Sequence, residues 1–232
     1  MKRLIQLYLV LMIPQICFGG DSNSGKYTLP LNSTDNLEFI NVVGSVVEYQ
    51  GQTALRVVAK PEADMTKSRE TLVIISDKNF QNGTIELEVA GAPLPDAPAQ
   101  ARGFVGLAFH LNEAHVDQYE CIYLRPKNGR AKTQIQRNHS VQYTSHPDYP
   151  WHRLRKETPG VYESYVDLVP GEWTRMRIVV AGNTAKLYVH DNEQPNLLVN
   201  DLKLGESEGR IALWINKSTI AHFRNLVVID NK

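Results

Sequence analysis

The chain has 232 residues, with 25 Lys and Arg balancing 25 Asp and Glu, 42% hydrophobic residues and 22% charged ones. That composition excludes a charge-rich, apolar-poor disordered chain. It also supplies no basic excess for phosphate binding, so nucleic acid is not an expected partner. Two cysteines, Cys17 and Cys121, are too few for a disulfide scaffold.

The first segment reads as a leader. Met1-Lys2-Arg3 is basic, Leu4 to Ile16 is a short apolar run, and Cys17-Phe18-Gly19-Gly20 supplies small residues for cleavage. This order predicts a signal peptide over residues 1–20 and a secreted or periplasmic protein. The run falls short of the roughly 20 apolar residues of a membrane span, so none is expected. Lipoprotein anchoring at Cys17 is the alternative, disfavoured by Ile16, where a small residue suits acylation better. Losing Lys2 and Arg3 from 25 bases against 25 acids leaves a net charge of −2. Cys121 then has no intrachain partner, which suits a bacterial periplasm better than a disulfide-stapled extracellular domain.

Residues 21–34 read as a flexible N-terminal segment, and residues 35–232 as one domain. Short Val-, Ile-, Leu-, Tyr- and Phe-rich runs alternate with Gly, Pro, Asn and Asp from residue 37 to residue 229. In Thr84–Ala90, Ile85, Leu87 and Val89 face one way and Glu86 and Glu88 the other. Residues 184–190 and 209–216 alternate in the same manner. Period 2 in so many segments predicts antiparallel sheets with one buried face each. The economical architecture is an all-β, two-sheet antiparallel jelly-roll sandwich. The one helical candidate is Pro150 to Glu157.

Two regions carry chemistry-bearing side chains. The first is the sheet face opposite the core. Val105, Leu107, Phe109 and Leu111 alternate with Phe104, Gly106, Ala108 and His110. Ile122 and Leu124 oppose Tyr119, Cys121, Tyr123 and Arg125, and Trp173, Arg175 and Arg177 oppose Met176, Ile178 and Val180. With Tyr188 and Trp214 these form a face of aromatics, Arg and His. Such a face suits sugars, whose C–H faces pack on rings while planar donors bond hydroxyls. The same rings could equally form a second small core beneath loops. The second region is the insertion from Gln134 to Asp167, which holds Asn138, His139, Tyr143, Trp151, Arg155 and Glu163. A long polar and aromatic insertion in a compact domain points to ligand contact. A concave cleft lined by Arg125, His139, Trp151 and Glu163 would favour a sugar; a flat apolar patch would favour a protein partner.

The chain has no nucleophile elbow, P-loop or H-E-x-x-H motif. His139, His146, Asp148 and His152 match no standard metal spacing, and calcium has no EF-hand motif to support it, so no metal or cofactor is assigned. Glu120 and Glu163 are the stronger acid candidates, because each sits among aromatics and Arg.

A family resemblance rests on the phrases Gly83–Val89 (GTIELEV), Gly103–Phe109 (GFVGLAF), Tyr119–Arg125 (YECIYLR), Pro170–Ile178 (PGEWTRMRI), Gly209–Trp214 (GRIALW) and Phe223–Leu226 (FRNL). From about residue 35 to residue 230 their order resembles the concanavalin A-like lectin/glucanase superfamily. Within it, the chain is similar to the 3-keto-disaccharide hydrolase and 3-keto-glucoside lyase/hydratase group, and to laminin-G-like modules. The resemblance implies a jelly roll with a carbohydrate-binding concave face. The glucanase E-x-D-x-x-E motif is missing, which argues against retaining glucanase activity. Tyr119-Glu120 matches the family's Tyr-Glu strand, so the resemblance implies acid–base work for Glu120, with Arg125 on a hydroxyl or oxyanion. The catalytic candidates are therefore Glu120, His139 and Glu163. The substrate-binding candidates are His110, Tyr123, Arg125, Asn138, Tyr143, Trp151 and Trp214. The expected partner is a carbohydrate or glycoside. A non-catalytic lectin-like module and a structural or adhesion sandwich are the alternative roles.

Overall fold

The computed structural model describes residues 25–61 and 70–231. The predicted signal peptide and Cys17 lie outside the described residues. Among the described residues no helix is long and apolar enough to cross a membrane.

The strands, in chain order, are β1 (Lys26–Leu29), β2 (Leu37–Ile40), β3 (Val42–Tyr49), β4 (Gln52–Ala59), β5 (Leu72–Phe80), β6 (Gly83–Pro93), β7 (Val105–Leu111) and β8 (Tyr119–Leu124). They continue as β9 (Val141–His146), β10 (Glu163–Ser164), β11 (Thr174–Ala181), β12 (Thr184–Val189), β13 (Leu197–Val199), β14 (Gly209–Ile215) and β15 (Thr219–Asp230). Three short helices, α1 (Pro126–Gly129), α2 (Gln134–Arg137) and α3 (Trp151–Glu157), sit in the loops around β9.

Two antiparallel sheets result. The first runs β13-β12-β11-β6-β15-β4-β3, with β1 also on β15; the second runs β10-β9-β8-β7-β14-β5-β2. Their facing sides bury one large core, in which Leu55, Ile85, Leu87, Ile178 and Phe223 of the first sheet meet Val73, Leu107, Phe109, Ile122 and Leu213 of the second. The alternation read from residues 84–90 and 184–190 is this inner face. The all-β jelly-roll sandwich is the observed architecture.

Four features differ from the sequence reading. Lys26–Leu29 is a strand and not part of a flexible segment: β4 pairs only with Ile220–Phe223 of the 12-residue β15, and β1 completes the same flank along Leu226–Ile229. Leu31, just beyond β1, is buried in the main core. Second, His110 has φ 54°, and β7 carries an extra residue against β14 at that point, so the alternation slips. Leu111 therefore joins the outer cluster with Leu72, Ile74, Ala108 and Tyr119.

Third, the aromatic and Arg face is two surfaces. Arg175, Arg177 and Tyr188 belong to strands of the first sheet, whereas Tyr123 and Trp214 belong to the second. Fourth, Glu120 shares the inner parity of Ile122. Its Oε1 accepts from the Leu204 backbone N–H at 2.8 Å and its Oε2 from the Tyr143 hydroxyl at 2.7 Å. The Tyr143 hydroxyl also accepts the Lys203 N–H at 2.9 Å. Glu120 and Tyr143 thus tie the β13–β14 connection to the sandwich interior. Burial holds the Glu120 carboxyl above the ordinary carboxylate range, although these bonds oppose the shift.

Replacing Glu120 by Ala leaves two donors without their acceptor. At about 1–3 kcal/mol for each unsatisfied buried group, the loss is of order 3 kcal/mol. Urea denaturation of E120A against the parent chain measures it; unchanged stability would contradict this structural role.

Candidate functional site

The site is built on a row of cross-strand neighbours. Tyr123 of β8 pairs with Gln142 of β9, which pairs with Glu163 of β10. Residues directly opposite on antiparallel strands project to the same face, so the three side chains stand together on the outer side of the second sheet. Arg125, two residues beyond Tyr123, keeps that orientation and reaches back over the row. Its Nη2 donates to the Tyr123 hydroxyl at 3.0 Å and to Gln142 Oε1 at 2.9 Å. Its Nη1 donates to Glu163 Oε1 and to the His139 backbone carbonyl, both at 3.3 Å. One guanidinium, 5% exposed, fastens three strands and a loop.

The loop returns His139 to this row. Pro126 starts α1 directly after Arg125, and the Arg125 N–H bonds Ser140 O at 2.8 Å. A Cβ at Gly129 would collide with the backbone of Leu168, so the close passage of α1 against that segment requires glycine. Asn128 Nδ2 donates to the His139 carbonyl at 2.9 Å. Held by two donors at its backbone, His139 places Nδ1 3.0 Å from Glu163 Oε2.

Helix α3 closes the other side. Trp151 and Arg155, four residues apart, share one helix face, while Leu154 is buried beneath. Arg155 Nε donates to Glu163 Oε2 at 3.0 Å, and its Nη2 pairs with Glu163 Oε1. The guanidinium also lies 4.7 Å from the Trp151 ring centroid. Arg125 lies 5.2 Å from the Phe104 ring, 5.3 Å from the Tyr123 ring and 5.8 Å from the Trp151 ring, an apolar box that limits hydration of its charge.

Above these groups opens a cavity of about 370 Å³, whose lining includes Arg102, Phe104, Arg125, His139, Trp151 and Arg155. That size accepts a small ligand such as a sugar unit. The Trp151 ring, 42% exposed, offers a flat apolar surface. Burial pulls the His139 imidazole below its ordinary pKa of 6.5, and the Arg155 and Arg125 charges add to the effect; the Glu163 carboxylate opposes it. The ring is therefore neutral at neutral pH, the state of a proton acceptor. Among the described residues no group of three or more His, Cys, Asp and Glu converges to hold a metal ion.

The structure thus brings together Arg125, Tyr123, His139, Glu163 and Trp151. Trp214 stands beside Tyr123 on the same outer face, across Gly106, its ring 4.7 Å from that of Tyr123. Asn138 is exposed, and its amide caps the Gln134 side chain. Three candidates lie elsewhere. Glu120 and Tyr143 face the sandwich interior. His110, at the far end of β7, is buried against the Gln81 carbonyl and Ser207, at 2.9 and 3.0 Å. Phe109 pairs with Glu120, five residues from Arg125, so His110 is more than about 15 Å along the strand from the cavity.

Cys121 is also no ligand group. It is fully buried in the outer cluster with Tyr119 and Tyr123, and burial pushes its thiol pKa well up. Gln142, Asn128, Arg102 and Gln136 were not singled out from the sequence. Their signal lies in strand pairing and loop return, which no local pattern exposes.

A family model described as 3-keto-alpha-glucoside-1,2-lyase-like domain matches residues 41–229. No curated protein sequence matches the chain. Among solved structures, the carbohydrate binding module CBM66 from Bacillus subtilis superposes with a TM-score of 0.53 at 13% identity, covering 83% of this chain and 95% of that one. A Bacillus subtilis protein of unknown function with a galectin-like fold gives a TM-score of 0.50 at 12% identity, covering 88% and 96%. At such identities the likeness is one of fold.

The His139 environment has a direct readout. NMR titration should place the His139 pKa below 6.5, and Glu163→Gln should lower it further by removing the one charge that raises it. A value at or above 6.5, or an upward shift in E163Q, would contradict the described geometry.

Proposed function

The chain belongs to the 3-keto-alpha-glucoside-1,2-lyase-like family, and from that premise we propose that the Arg125–His139–Glu163 cavity binds a 3-keto-glycoside and eliminates its aglycone. The observation that carries this reading is a neutral imidazole at the cavity wall with a buried carboxylate 3.0 Å from its Nδ1. A neutral base beside a fixed carboxylate suits proton abstraction next to a carbonyl, because the carboxylate stabilises the imidazolium that forms.

The chemistry follows from the ketone. A carbonyl at C3 acidifies the C2 proton. His139 takes that proton, and the electron pair of the C2–H bond moves into an enolate on the C3 oxygen. Its collapse forms the C1=C2 double bond, regenerates the C3 ketone and breaks the C1–O bond. The leaving oxygen takes up one proton, so the elimination is redox-neutral. Glu163, 3.0 Å from the ring nitrogen, stabilises the imidazolium that forms. Arg155, anchored through Nε and Nη2, keeps Nη1 for the developing enolate oxygen. Arg125 acts as a positioning residue, since its terminal nitrogens already serve Tyr123, Gln142, Glu163 and the His139 carbonyl. Trp151 supplies a stacking face for the sugar ring.

Incubation with 3-keto-glucosides, followed by NMR of the products, tests the proposal. The parent chain should release the aglycone, with kcat/KM rising with pH and levelling off above an inflection below 6.5. His139→Asn should lower kcat by about 10²–10⁴-fold, the usual worth of a general base. Saturable binding with no release would assign the cavity to non-catalytic carbohydrate recognition instead. We also propose that the leader read in residues 1–20 exports the protein to the periplasm or beyond the cell. Mass spectrometry of the native protein should find a mature N-terminus at about residue 21; an intact Met1 would contradict export by cleavage.

A further inference from the structure

Arg102 is a cation in the cavity wall that the elimination does not use. Resting on the reading above, we propose that the glycoside bound here carries an anionic substituent, a uronate carboxylate or a sulfate ester, and that Arg102 receives it.

The charge balance points this way first. Three guanidinium groups, Arg102, Arg125 and Arg155, line the cavity. Two of them, Arg125 and Arg155, share the Glu163 carboxylate and take both its oxygens, whereas Arg102 does not touch it. Three positive charges against one negative charge leave a surplus of two, and the neutral His139 adds none. A neutral sugar would leave that surplus uncompensated in a partly desolvated cleft.

The hydrogen-bond inventory of Arg102 points the same way. Its Nη1 donates to the Ala99 and Ala101 carbonyls at 2.9 and 3.2 Å. These bonds fix the direction of the guanidinium from the loop before β7. The remaining edge, Nε and Nη2, faces the Gln136 amide oxygen at 3.3 and 3.1 Å once that amide is oriented to accept. Among the described residues the partners of Arg102 are therefore neutral oxygens. The Nε/Nη2 edge is the side-on edge that takes a carboxylate or sulfate through two parallel bonds. An amide oxygen on a partly exposed side chain holds that edge loosely, and an anion displaces it. Lys127, whose Nζ contacts the Ala99 carbonyl at 3.4 Å, adds a further positive charge to the same loop.

Calorimetry with the full chain tests the proposal using methyl α-D-glucopyranoside, its 6-uronate and its 6-sulfate. At low salt one or both anionic ligands should bind at least about tenfold tighter than the neutral one, and the preference should shrink as salt screens the partly exposed Arg102. A preference confined to the uronate or to the sulfate identifies which anion the edge fits. Arg102→Gln should remove most of the preference, whereas Arg102→Lys should keep the charge-driven part. Equal affinity for the three ligands, or a preference unchanged in both Arg102 variants, would overturn the inference. Its failure is distinguishable from failure of the lyase reading: His139-dependent elimination from a neutral 3-keto-glucoside can persist without any anion preference.

Discussion

The site depends on one guanidinium. Arg125 follows directly on β8, on its outward side, before Pro126 turns the chain away. From there it bonds the side chains of three adjacent strands and the backbone of the returning loop. Removing one member of a buried ion pair typically costs about 3–5 kcal/mol, because the partner is left charged and undersolvated. Here the partner, Glu163, sits on a strand only two residues long, which has little backbone pairing of its own. The ion pair and the edge of the sheet therefore support each other: β10 exists where Arg125 and Arg155 hold its carboxylate, and Arg125 also holds the His139 backbone carbonyl beside it.

This arrangement separates the two faces of the second sheet by task. The inner face is mostly apolar, and its polar groups Glu120 and the Tyr143 hydroxyl bind a loop. The outer face divides along its length. At one end Tyr119, Cys121, Leu72 and Ile74 form a closed second core, with the Tyr119 hydroxyl bonded to Glu70 and its ring stacked 4.5 Å from His146. At the other end the polar row opens into the cavity. The second-core reading of the aromatic face is therefore realised at one end of these strands, while the other end opens into the cavity proposed to hold the ligand.

Much of the fold was legible because a half-buried strand must alternate. β12 and β14 fall within a residue of the alternating runs 184–190 and 209–216 read from the sequence, and α3 falls on the one helical candidate. The missed elements are those whose reason is tertiary. In β9, Val141–Ser145 is buried but contains Gln142, Thr144 and Ser145, so no apolar alternation marks it. β1 is a strand because β15 is long enough to need a second neighbour. Around the cavity, parity grouped Tyr123 with Arg125, which the structure also joins, and the dense insertion held His139, Trp151 and Glu163, which the structure brings beside them. Glu120 was selected by its aromatic and Arg neighbours and by a motif likeness, while its own parity with Ile122 and Leu124 already placed it inward. His110 lay on the expected side only until the bulge in β7 broke the alternation.

The central claim is that a keto-sugar lies in the Arg125 cavity with its C2 hydrogen toward His139. The most direct measurement is a crystal structure of the His139→Asn chain soaked with a 3-keto-glucoside. The account expects the sugar ring against Trp151, with C2 within about 3.5 Å of the Asn side chain at position 139, the near-attack distance. Density for the sugar on the outer face of the first sheet, or beside Glu70 and His146, would contradict it.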